Sequence, residues 1–163
     1  MLDAVLDAVV TALRAAGLCA LRQFPEGEID RKSGPLVCVG LKSNKLVSSG
    51  AGDYMGERRS GGTVSEVYGF RMEPVIALDI YSPDDGENGA EGCIETAEAV
   101  GAALPGFPSG LKMRELLCGE TAFDGATEMY HMPVELSCAA FLTREMNGET
   151  GVFTDFVLKG VLS

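Results

Sequence analysis

The sequence predicts an α+β domain in which a mostly antiparallel sheet carries two helices on one face, with a long Gly-rich hairpin arm. Three observations predict it. Leu2, Val5, Leu6, Val9, Val10 and Leu13 recur at spacings of three and four, the stripe of an amphipathic helix. Tyr130, Met132, Val134, Leu136, Cys138, Ala140 and Leu142 fall on every second position, the period of a strand with one covered face. The order of such segments is helix, strand, long loop, strand, helix, then a run of strands, the layout of an antiparallel sheet with helices packed on one face.

Each element has its own signal. The first helix covers residues 2 to 16, and Gly17 supplies a left-handed stop. From Pro35 to Leu41 a β-rich run bounded by Gly34 reads as a strand. Residues 43–66 hold five glycines, five serines and few large apolar groups, so they read as a long exposed excursion. A strand then runs from Val67 to Tyr81, with Ile76, Leu78 and Ile80 alternating against Ala77, Asp79 and Tyr81. Pro74 inside it marks an edge or a bulge. Turn formers at 82–89 close that strand. A second helix follows from about Ala90 to Leu104, with Ile94, Ala97, Val100, Gly101 and Leu104 expected inward and Pro105 ending it. Leu111 to Cys118 fits a short strand, and Thr127 to Thr143 is the clearest strand in the chain. Asn147-Gly148 makes a turn into a closing strand from Val152 to Val161. With no internal repeat and no linker, residues 1–163 read as one domain.

Composition narrows the function. The apolar share of 46% and the charged share of 23% are those of a globular chain that folds unaided. Thirteen Lys+Arg against 24 Asp+Glu give a net charge of −11, a field that repels phosphate backbones, so nucleic-acid recognition is not expected. Cys19, Cys38, Cys93, Cys118 and Cys138 form no CxxC pair, and their odd number argues for a reducing compartment. Asp3 and Asp7 interrupt the apolar start, unlike a signal peptide, and no run approaches the roughly 20 apolar residues of a membrane span. The cytoplasm is the expected location.

No catalytic, cofactor-binding or metal-binding set emerges. His131 is the single histidine and reads as a solvent-facing residue, with Cys138 on the opposite face of the same strand. The other cysteines lie in apolar runs and read as small core residues. Asp84, Asp85 and Glu87 lack the spacing of a twelve-residue calcium loop and read as a solvated turn. Gly50, Gly52 and Gly56 lead into more glycine and another strand, whereas a phosphate loop leads into a helix N-terminus.

The candidate site is the arm. A structureless loop of this length is functional or disordered, and Tyr54, Met55, Glu57, Arg58 and Arg59 give it adaptable apolar and charged contacts for a partner. The helix LDAVLDAVVTALRAAG, the strand and arm, the strand VIALDIYSP, the helix ETAEAVGAAL and the strands MPVELSCAAFL and FTDFVLKGVL together resemble the tail-terminator (tail-completion) proteins of long-tailed bacteriophages and prophages. That resemblance implies a virion-assembly role. Subunits would form a homo-oligomeric ring, often of six, that caps the tail tube, stops its polymerisation and presents a face to the head–tail connector. It implies contact between the arm at 43–66 and the tail tube protein, in the bacterial cytoplasm and then the virion tail, with no enzymatic activity. The other reading is a small ligand-binding domain or enzyme with 43–66 as a lid over a pocket between helix and sheet.

Overall fold

The computed structural model describes residues 2–22, 34–108, 110–146 and 157–159. Among these residues two helices lie on a nine-stranded, mostly antiparallel sheet, the α+β class that the patterns predict. Helix α1 spans Leu2–Ala15 and buries Val5, Leu6, Val9, Val10 and Leu13, the expected stripe. Gly17 turns at φ 85, and its N–H and that of Leu18 bond back to the carbonyls of Arg14 and Leu13. Strand β1, Ala20–Leu21, follows at once. Arg22 beside it bridges Asp3 and Asp7, each at 2.9 Å, which ties that corner to the outer side of α1.

The sheet is built around one 21-residue strand. β2 is Leu36–Ser48, β3 Tyr54–Ser60 and β4 Thr63–Pro83. β2 pairs antiparallel with β4 from Leu36↔Tyr81 to Ser48↔Phe70, and β3 takes over the same side of β4 from Tyr54↔Tyr68 to Ser60↔Thr63. Along the other side of β4 run β7, Met129–Met132, and β8, Val134–Met146, separated at Pro133. The outermost lane is made in three pieces: β6, Ala122–Asp124, against β7, then β5, Lys112–Cys118, and β9, Val157–Lys159, against β8.

The alternation along β4 decides which face meets the helices. Met72, Ile76, Leu78 and Ile80 are at most 1% exposed and join Val134, Leu136, Cys138 and Ala140 of β8 in one core with α1. Burying such a side chain is worth about 1.5–3 kcal/mol, so a one-residue slip of β4 would forfeit the whole row. Helix α2, Gly89–Ala103, completes this layer with Cys93, Ala97, Val100 and Ala103. It sits close to the sheet because Gly92 has no side chain: a Cβ there would stand 2.4 Å from Ser82 Oγ. A short 3-10 turn, Leu104–Gly106, follows with Pro105 inside it.

Several expectations are corrected. β2 continues seven residues past Leu41, so residues 43–48 are strand, not excursion. Pro74 lies in the central strand rather than at an edge, where the β4–β8 ladder skips Glu73 and Pro74, and the bulge beside it is in the paired strand β2, between Leu41 and Ser43. Ile94 is 50% exposed rather than inward, because the small residues Cys93, Ala97 and Val100 rotate the helix face past it. The single strand expected over Thr127 to Thr143 starts at Met129 and is broken at Pro133 into β7 and β8, and β6 with the turn holding Glu128 at φ 54 had no sequence expectation. Of the closing strand, Val157–Lys159 is described. The Asn147-Gly148 turn and the remainder of 152–161 lie outside the described residues.

Candidate functional site

The arm is a β-hairpin that grows out of the sheet. Its tip is Gly61-Gly62, both left-handed at φ 58 and 86, the two-residue geometry that matches the right-handed twist of paired strands and that glycine adopts without steric cost. The non-strand part of the former excursion shrinks to residues 49–53 and this tip. Residues 49–53 are held in place: the Ser48 hydroxyl donates to Gly50 O at 2.9 Å and lies 2.7 Å from Asp53 Oδ1, and the Ser49 hydroxyl donates to Gly69 O. Gly52 and Asp53, at φ 62 and 61, reverse the chain there. The glycines are thus turn chemistry, not the mark of an unstructured loop.

All five sequence-designated residues lie on this hairpin. Tyr54 stands opposite Tyr68 with ring centroids 5.6 Å apart in an edge-to-face pair, and the Tyr68 hydroxyl donates to Glu66 at 2.7 Å. Met55 is half-buried near Gly69, where a Cβ would come 2.9 Å from its sulfur. Glu57 faces Glu66, Arg58 faces Ser65 and Arg59 faces Val64 across the two strands. Glu57, Arg58 and Arg59 are exposed.

The sequence reading overlooked the apolar half of this surface. Among the described residues the exposed large apolar side chains are Leu41, Leu46, Tyr54, Val64, Phe70, Ile94, Leu117 and Phe123. The first five lie on β2, β3 and the arm end of β4. Leu46 is 55% and Val64 48% exposed. Their signal in the sequence was isolated large residues inside a Gly/Ser-rich segment.

The other candidates resolve as follows. His131 is not an idle surface residue: its Nε2 lies 2.9 Å from Asp79 Oδ1, and its ring stacks on Tyr81 at 4.6 Å. Burial, then the Asp79 charge, pushes the Tyr81 phenol up to about 12. Cys38, Cys93 and Cys138 are buried as expected, whereas Cys19 and Cys118 are exposed, which corrects the reading of all as core. Asp85 accepts hydrogen bonds from the backbone N–H groups of Glu87 and Asn88 and from the Asn88 side chain, which hold its carboxyl below the usual range. That set makes the acidic knot a turn at the start of α2. Among the described residues no three of His, Cys, Asp and Glu converge as a metal site, and no helix is long and apolar enough to cross a membrane.

No protein-family model matches the chain, and no curated protein matches it in sequence. The functional reading therefore rests on the arm, its exposed apolar side chains and the mixed charges beside them.

Proposed function

We propose that this chain is a tail-assembly protein of a long-tailed phage or prophage: a ring-forming subunit that caps the tail tube, ends its polymerisation and presents a face to the head–tail connector. It acts by contact, not by catalysis, in the bacterial cytoplasm during assembly and then in the virion tail. The observation that carries this reading is the hairpin arm, on and beside which Leu41, Leu46, Tyr54, Val64 and Phe70 stand exposed. A strand pair that extends the sheet holds such side chains in fixed geometry, so a partner is met without the ordering cost a flexible loop incurs. Heterologous contacts between copies give a closed ring where the rotation closes.

Light scattering and negative-stain microscopy test the reading, on the purified protein alone and with the tube protein encoded near its own gene. The expected result is closed rings that bind tube ends and stop their growth. A strict monomer under both conditions, indifferent to the tube protein, would contradict it.

A further inference from the structure

One helix of the molecule is strongly acidic, and one stretch of the opposite sheet face carries more cations than acids. From Asp84 to Leu111 the chain holds six acids, Asp84, Asp85, Glu87, Glu91, Glu95 and Glu98, and no Lys, Arg or His. All six are exposed, on α2 and the turn leading into it. In their midst Ile94 stands 50% exposed, one helical turn from Glu91 and from Glu98.

On the sheet face away from the helices, cations outnumber acids over the stretch from Arg71 to Ala77, while Asp79 lies just beyond it. Arg71, Glu73, Val75 and Ala77 alternate with the core row of β4 and so point to that face. Register brings Lys45 beside Glu73, and sets Lys112 and Leu117 of β5 on the same face through Ala139 and Glu135 of β8. Arg71 and Arg114 flank Glu73 at 2.8 and 3.8 Å, and Lys42 pairs with Glu135. Between Arg71 and Ala77 the face thus presents Lys42, Lys45, Arg71, Lys112 and Arg114 against Glu73, Glu115 and Glu135, a local positive excess in a chain of net −11. Its centre is apolar, with Val75 and Ala77 half-buried and Leu117 56% exposed.

We infer that the open sheet face of one protomer receives α2 of the next copy, Ile94 seated on Val75, Ala77 and Leu117, with Glu91, Glu95 and Glu98 among the cations. This deepens the ring reading and rests on it. The occupant is a second copy because the complementary surface lies on the opposite layer of the same chain, so each copy offers one half and requires the other. Copies that repel at long range through their net charge associate only where the sign reverses locally. The contact is heterologous, the kind that builds rings.

Charge exchange tests it. One variant carries Glu91→Lys and Glu95→Lys on the helix; a second carries Lys45→Glu and Lys112→Glu at exposed sheet positions, and circular dichroism establishes that each folds. Assembly is read by sedimentation velocity. Each variant alone should assemble at least about tenfold more weakly than the wild type, because like charges then meet. Mixed one to one they should assemble again, since each supplies the charge the other lacks. Wild-type assembly that both variants retain, or variants that stay apart when mixed, would overturn the contact and leave the ring reading standing. A wild type that never assembles would overturn both.

Discussion

Gly69 of β4 faces the backbone carbonyl of Leu142 so closely that a Cβ on it would stand 2.2 Å from that oxygen. This is where the arm leaves the body of the sheet: on one side of β4 the partner changes from β2 to β3, while β8 continues on the other. Gly69→Ala therefore requires a backbone shift, not a side-chain adjustment. The expected cost is about 1–3 kcal/mol, as for overpacking elsewhere, read from urea unfolding. Unchanged stability in that variant would show that the two strands do not approach in this way.

The tip is the second test. Gly62→Val places a β-branched residue at a φ of 86, where an L side chain meets the carbonyl that follows it. Gly61→Asn keeps a residue that tolerates left-handed geometry. Hydrogen exchange should quicken at the amide of Arg58, which faces Ser65 across the hairpin, in the first variant and stay near wild type in the second. Equal exchange in both would mean that the turn does not hold the arm together.

The fold was legible wherever one face of an element was covered. The stripe of α1 and the alternations of β4 and β8 reported burial directly, because a row such as Ile76, Leu78 and Ile80 cannot be moved without losing its contacts. Legibility failed where small residues made the packing. Cys93, Ala97 and Val100 pack α2 because Gly92 allows close approach, which turned Ile94 outward. In the arm the hairpin itself was legible, but not where it begins, because residues 43–48 continue β2 and the Gly and Ser beyond them make turns and backbone hydrogen bonds. Of the candidate site, the five polar and adaptable residues were readable by type. The exposure of Leu41, Leu46, Val64 and Phe70 depends on where the helices stop covering the sheet, which is a matter of three-dimensional placement.

Alkaline pH should destabilise the protein in two stages. Burial pushes the Cys93 thiol up to about 11 and the Cys138 thiol up to about 12, and burial and Asp79 push the Tyr81 phenol up to about 12. A raised folded pKa holds the neutral form, so this stability is complete below the unfolded values, near 8.5 for thiols and near 10 for tyrosine. It is lost as pH climbs from there through the folded values. Denaturant unfolding from pH 8 to 11.5 should show the decline, and Tyr81→Phe should remove the part that begins near pH 10. A flat profile would contradict the burial of these groups.

Thiol accessibility gives an independent check of the layers. Cys19 and Cys118 should react with a soluble disulfide reagent in the native protein, while Cys38, Cys93 and Cys138 react only on unfolding. Mass spectrometry of the labelled chain would read two modified sites in the native state. Fast modification of Cys138 would contradict its place between β8 and the helices.

The most direct test of the central claim, that the apolar side chains exposed on and beside the arm meet a partner, is a double variant, Leu46→Ser on β2 with Val64→Ser on the hairpin. Both side chains are about half exposed, at 55% and 48%, so the melting behaviour should stay close to wild type. Mass by light scattering, with and without tube protein, is the measurement. The account expects the wild type to form rings that bind tube ends, and the folded double variant to lose tube binding. A double variant that binds tube protein as the wild type does would contradict it.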